Sequence, residues 1–159
     1  MKQKAAMKQE DSSMDEVLRD LASFRYTLRK FLRFSEKAAR QCGVTPQQHQ
    51  LMLGVAGHTG RGSATISELA EFLQERHNSV AGLVERAVQN GLVHREQSDL
   101  DRRFVDVSLT SRGAKILAKL AKLHEQEVGR VRAGFLEAAH PEKKQSAAAK
   151  RLAKRKQNA

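Results

Sequence analysis

The sequence predicts a mainly α fold with one small β hairpin, and three observations carry that prediction. Apolar residues recur at three- and four-residue spacing through most of the chain. Two segments, Thr45-Pro46-Gln47-Gln48 and Thr65-Ile66-Ser67-Glu68, are written as capping boxes, in which a hydroxyl and a side chain three residues on satisfy each other's backbone N–H groups. One run, 103–109, alternates instead of following the helical period. At 159 residues the chain is long enough for one domain with a core of its own.

From Asp15 to about Gln41, Val17, Leu18, Leu21, Phe24, Leu28, Phe31 and Leu32 form an apolar stripe. That stripe predicts one long helix, preceded by a flexible segment at 1–14. Thr45 caps a short helix with Pro46 in the first position, where a missing N–H costs nothing, and Leu51, Leu53, Val55 and Ala56 supply its apolar content. The segment 57–64, GHTGRGSA, is too rich in glycine for a helix or a central strand and reads as a loop. Thr65 then caps a helix of about two turns, with Ile66, Leu69, Ala70 and Leu73 on one face. After the polar break Gln74-Glu75-Arg76-His77, the spacing is repeated by Val80, Leu83, Val84 and Ala87. Asn90-Gly91 ends that helix with a left-handed cap. Two short amphipathic helices joined by a tight polar turn make a helix-turn-helix over 65–91.

Residues 92–96 can extend, and Arg103 to Leu109 alternates with Phe104 or Val105 inward. The polar connector 97–102 between them completes a two-stranded hairpin, a wing spanning 92–109. Thr110-Ser111-Arg112-Gly113 opens a further helix, striped by Ile116, Leu117, Leu120, Leu123 and Val128, and a last helical stretch runs from about Val128 to Ala139. The expected architecture is a winged helix-turn-helix domain over 15–140, flanked by helices at both ends. A core of this size cannot cover the apolar stripes of those flanking helices, so packing against a second copy is expected.

Charge narrows the partner. Lys and Arg total 29 against 18 Asp and Glu, a net of +11 with a pI near 10.2. The excess favours a polyanion, nucleic acid before a membrane surface. Aromatics are only 4%, without Trp, which is poor material for stacking single-stranded bases. Residues 141–159 hold seven Lys/Arg and one Glu, so +6 of the excess sits in one basic tail. That tail reads either as a flexible, nonspecific polyanion anchor or as a solubilising end without a partner. The single cysteine, Cys42, excludes an internal disulfide and fits a reducing cytoplasm. No apolar run reaches membrane-spanning length, and 1–14 lacks the apolar centre of a signal peptide.

Together these segments resemble the MarR family of winged-helix regulators. The residues that carry the resemblance are Ser67-Glu68-Leu69-Ala70, Ser79-Val80, Leu83-Val84-Glu85-Arg86, Gly91-Leu92-Val93, Asp101-Arg102-Arg103 and Leu109-Thr110-Ser111-Arg112-Gly113. The likeness covers about 15–139. It implies a homodimer on a pseudo-palindromic operator, usually a repressor relieved by a small ligand or an oxidant. Two positions depart from the family pattern. Gln74-Glu75 stands where the turn often has Gly and a hydrophobic residue, which is expected to reshape the turn. Gly82 stands where a basic residue often faces the groove, which removes a contact.

On the second helix of the motif the N-terminal residues are the ones that reach base edges. Arg76 suits a guanine or a phosphate, Asn78 an adenine, and His77, Ser79 and Arg86 the same surface. The alternative is an ordinary exposed polar face. At the wing, Arg102 and Arg103 suit a narrow minor groove, where negative potential is concentrated. By the resemblance, Asp101 orients an arginine there. The family's effector pocket would fall near Phe24, Arg25, Tyr26 and His49, an arrangement suited to a small aromatic or anionic effector. The alternative, which residue chemistry alone favours, is that those four are ordinary core.

Other chemistry is weakly signalled. Cys42, near Arg40, is a redox candidate set against a plain packing residue. His124 and Glu127 share one helical face, but no Cys/His cluster points to a metal, and no cofactor is expected. GHTGRGS lacks the Gly-Lys-Ser/Thr ending of a phosphate loop, and no residue grouping favours an enzyme. The reading is a sequence-specific duplex-DNA regulator of the cytoplasm. Its rival is a nonspecific architectural protein driven by the basic tail.

Overall fold

A computed structural model describes residues 2–58, 62–97 and 105–138, with the side chains of 2–13 and 134–138 excepted. Its elements are α1 (Lys2–Gln41), α2 (Pro46–Gly57), β1 (Ser63–Thr65), α3 (Ile66–Leu73), α4 (His77–Gln89), β2 (Val93–Gln97), β3 (Val105–Leu109) and α5 (Ser111–Ala138). The chain divides into two compact units. One is Phe34–His124, and the other combines Met1–Arg33 with Glu125–Ala159.

The Phe34–His124 unit holds the core. Leu51, Met52, Val55, Leu69, Val80, Val84, Leu92, Val93, Val107 and Leu120 have their side chains fully buried there. Ala38 and Ala39 join them from the end of α1, where small residues let helices approach closely. The stripes predicted for α3 and α4 point inward. Ile66 and Leu69 are buried and Ala70 and Leu73 half-buried, and all four of Val80, Leu83, Val84 and Ala87 are buried.

Both capping boxes form. Gln48 N–H donates to Thr45 Oγ1 at 3.2 Å while Thr45 N–H donates to Gln48 Oε1 at 3.0 Å. At α3, Thr65 N–H donates to Glu68 Oε2 at 2.7 Å and Glu68 N–H to Thr65 Oγ1 at 3.3 Å. Each box satisfies N–H groups that no helical carbonyl can reach.

The sheet differs from the expected hairpin. It has three antiparallel strands in the order β1-β3-β2, with Ala64 opposite Val107 and Arg95 opposite Val107 on the other side. Ser63 and Ala64, expected to lie in a loop, form the edge strand β1 with Thr65, and α2 runs on to Gly57. A three-residue strand gains its stability from a partner more than forty positions away, which local glycine content does not report. Gly62, at φ +67°, supplies the turn before it.

Two helices are longer than their stripes. α1 begins at Lys2 rather than at Asp15, so the stretch expected to be a flexible lead segment is helical up to that point. Lys, Ala, Met and Gln favour helix, and no Gly or Pro interrupts them. α5 is a single helix, not two stretches meeting at Val128. In the second unit Met14, Val17, Leu18, Leu21, Phe24 and Leu28 of α1 are exposed, as is Val128 of α5. The tail 141–159 lies outside the described residues.

The start of α5 explains the Leu109-Thr110-Ser111-Arg112-Gly113 signature. Gly113 N–H donates to Thr110 Oγ1 at 2.9 Å, and that hydroxyl donates to the Gly91 carbonyl at 2.7 Å. Arg112 Nη1 reaches the Asn90 carbonyl at 2.9 Å. A Cβ on Gly113 would stand 2.0 Å from the Leu92 carbonyl oxygen, so no other residue fits without moving backbone. The end of α4 is thereby fastened to the start of α5.

Candidate nucleic-acid interface

The helix-turn-helix is built from α3 and α4. α3 ends at Gln74, whose φ of +53° is left-handed and whose backbone N–H bonds the Ala70 and Glu71 carbonyls. Glu75 N–H also reaches the Ala70 carbonyl, at 3.0 Å, and the Gln74 side-chain amide donates to the Glu71 carbonyl at 2.7 Å. The turn is therefore the compact one that glycine ordinarily supplies, made here by a glutamine at some backbone cost.

α4 begins with Arg76 as its N-cap, which makes no side-chain cap bond, as befits a residue without an acceptor. His77, Asn78, Ser79, Glu85 and Arg86 are exposed, while Ala81 and Gly82 are half-buried. Gly82 is not forced by packing, since a Cβ there would meet only Arg86 Nη1 at 3.5 Å. Its absence of side chain leaves the helix backbone open to close approach.

Comparison with known proteins follows this geometry closely. The MarR family profile matches residues 43–103, from before α2 into the wing. MdtR of Bacillus subtilis (strain 168), an HTH-type transcriptional repressor, is 32% identical over 108 residues, covering 67% of this chain and 65% of MdtR. The chain thus spans just under two thirds of that relative. The chain belongs to the MarR family.

Solved MarR-family structures share the fold. One MarR family transcription regulator matches 97% of this chain and 99% of its own at a TM-score of 0.68 and 22% identity. A mutant MarR from E. coli complexed with operator DNA matches 73% of this chain and 81% of its own, at a TM-score of 0.59 and 22% identity. As in those proteins, a small antiparallel sheet adjoins a helix-turn-helix within a mostly helical chain.

Within this MarR-family chain, Arg76, His77, Asn78, Ser79 and Arg86 are gathered on the entry and open face of α4. Asp101, Arg102 and Arg103 lie outside the described residues. Phe24, Arg25 and Tyr26 are exposed on α1, with Lys30 Nζ 5.6 Å from the centre of the Tyr26 ring. His49 is 3% exposed and stands in the core of the other unit. Its ring lies 5.1 Å from that of His124, which in turn meets Phe34 edge-on at 5.4 Å. Burial holds the His49 imidazole below its ordinary pKa, and the neighbouring His124 adds to that effect.

Cys42 is half-buried against the core, and Arg40 is paired with Glu36 at 3.5 Å. His124 Nδ1 contacts the Leu120 carbonyl at 2.7 Å, whereas Glu127 pairs with Arg130 at 3.0 Å, so the two do not converge. Among the described residues no three His, Cys, Asp or Glu side chains are grouped to hold a metal, and no helix is long and apolar enough to cross a membrane.

Sequence reasoning missed two participants. Arg95 on β2 pairs with Glu85 on α4, joining wing and helix. His58 Nε2 pairs with Glu68 Oε1 at 3.1 Å, bracing the capped start of α3. Neither pair is close enough in sequence to be read from spacing.

Proposed function

We propose that this protein is a sequence-specific duplex-DNA regulator, a repressor acting in the cytoplasm as a homodimer. The observation that carries the reading is on α4, which buries every residue of its apolar stripe and leaves Asn78, Ser79 and Arg86 on the open face. A helix so divided is fixed in rotation, as base reading from a major groove requires. Arg76 and His77 would join at the entry of the helix. The wing, through Asp101, Arg102 and Arg103, would add minor-groove contacts that sense shape. The name of MdtR and the operator complex of E. coli MarR support repression and duplex binding.

The exposed apolar residues of α1, Val17 to Leu28, support a homodimer, because water-facing stripes of that length are covered in most soluble chains. Two copies would present two α4 helices to half-sites about one DNA turn apart. Release by a small aromatic or anionic effector, or by oxidation at Cys42, completes the proposal.

Selection of bound fragments from a random duplex pool at about 150 mM salt tests it, where screening limits nonspecific attraction. An enriched inverted repeat, kept when 141–159 are deleted, is the expected result. Loss of binding with the tail and no enriched sequence would favour the architectural alternative instead.

A further inference from the structure

Two adjoining clefts flank Arg86. The larger, about 610 Å³, is lined by Gln47 and Gln50 of α2 together with Asn78, Ser79, Gly82 and Arg86 of α4. The smaller, about 320 Å³, shares Gln47, Leu83 and Arg86 with it. Side chains of α2 therefore face the same space as the residues assigned to base reading. Thr45 and Gln48 are occupied by their own capping box. Gln47 and Gln50 are both exposed and turned to the cleft.

We infer that Gln47 and Gln50 are a second line of duplex contact, donating from their amides to the phosphate backbone beside the groove that α4 enters. The inference rests on the proposed duplex binding and adds to it the residues that set the depth and register of α4. A major groove is about 12 Å wide, so a helix lying in it has a phosphate strand along each side. An element separated from the open face of α4 by one cleft meets that strand rather than the bases. Neutral amides are suited to the task, because phosphate contacts position a protein without carrying sequence information. The cleft is not a trap for a free anion, since the Glu75 carboxylate lines it along with Arg86.

The test is a charge scan in the full chain, measured by anisotropy on a selected operator and on random duplex at several salt concentrations. Gln47→Glu and Gln50→Glu are expected to weaken both duplexes alike, by roughly tenfold, because an added anion within a Debye length of phosphate is repelled. Gln47→Lys is expected to tighten both and to steepen the salt slope by roughly one. Ala56→Glu, on the opposite side of α2, is expected to match wild type. Opposite signs for Glu and Lys at one position separate charge from misfolding, which would weaken both. Glu variants no weaker than Ala56→Glu, in a wild type that binds its operator, would overturn the inference. So would loss confined to a single base position, which would make these residues base readers. A wild type that selects no duplex sequence would instead overturn the functional proposal beneath it.

Discussion

The Glu85 carboxylate on α4 pairs with the Arg95 guanidinium on β2, tying the second helix of the helix-turn-helix to the first strand of the wing. Both side chains are about half exposed, so the pair stabilises the fold by at most about 1 kcal/mol. Its larger effect is on charge. Glu85 neutralises the Arg95 cation, which would otherwise present its full charge to solvent beside α4.

Glu85→Gln should therefore leave the thermal midpoint within a few degrees of wild type. Binding to random duplex should tighten by roughly fivefold, about 1 kcal/mol, while preference for the operator falls. Competition titration with both duplexes checks this, and unchanged random-duplex affinity would count against a DNA-facing Arg95.

Gly113→Ala should be among the most damaging single changes. The added methyl meets a backbone carbonyl at 2.0 Å, not a flexible side chain, so Leu92 or the start of α5 must move. A loss of about 3 kcal/mol or more is expected in urea unfolding. Gly82→Ala should do the reverse, adding about 0.5–1 kcal/mol to stability, because that site has room and lies within a helix. Weaker operator binding by a more stable Gly82→Ala protein would show that close backbone approach matters there.

Gln74 holds a left-handed backbone at φ +53°, a conformation that disfavours any side chain and β-branched ones most. Gln74→Gly should be neutral or stabilising by up to about 1 kcal/mol, and Gln74→Val should destabilise by about 1–2 kcal/mol. Denaturant midpoints of the pair decide it; equal midpoints would mean the turn relaxes to another geometry.

Acid should weaken the fold through His49. Its folded pKa lies below the unfolded value of 6.5, through burial first and His124 second. Between those two values the unfolded chain binds the proton and the folded chain does not. The contribution is thus complete above about pH 6.5 and is lost as pH falls toward the folded value. Urea midpoints at pH 7.5 and 5.5 should separate more for wild type than for His49→Gln. Parallel shifts would place the acid sensitivity elsewhere.

What could be read in advance was local. Thr45 with Gln48 and Thr65 with Glu68 are three positions apart, so the sequence displays both halves of each box. The buried stripe of α4 follows from spacing alone. β1 was hidden because its partner, β3, is remote and its own residues are Ser, Ala and Thr. Gln74 was marked only by standing where the family's turn often has glycine, since glutamine itself is ordinary in helices and rare at positive φ. The Gly113 signature was visible as a pattern, but its cause is a contact with Leu92 that only the folded chain creates. His49 stood among polar neighbours, and nothing in its spacing announced a second imidazole beside it.

The fastening between α4 and α5 grips main chain throughout, taking the carbonyls of Asn90, Gly91 and Leu92 and no side chain of α4. Scaffold and vocabulary are thereby separated in this protein. Asn78, Ser79 and Arg86 on the open face of α4 can be rewritten while every bond of that fastening is retained. Under the proposed duplex reading, such a chain can diversify in what it recognises by drift at those few positions, and the same separation makes them the natural place to graft a new specificity.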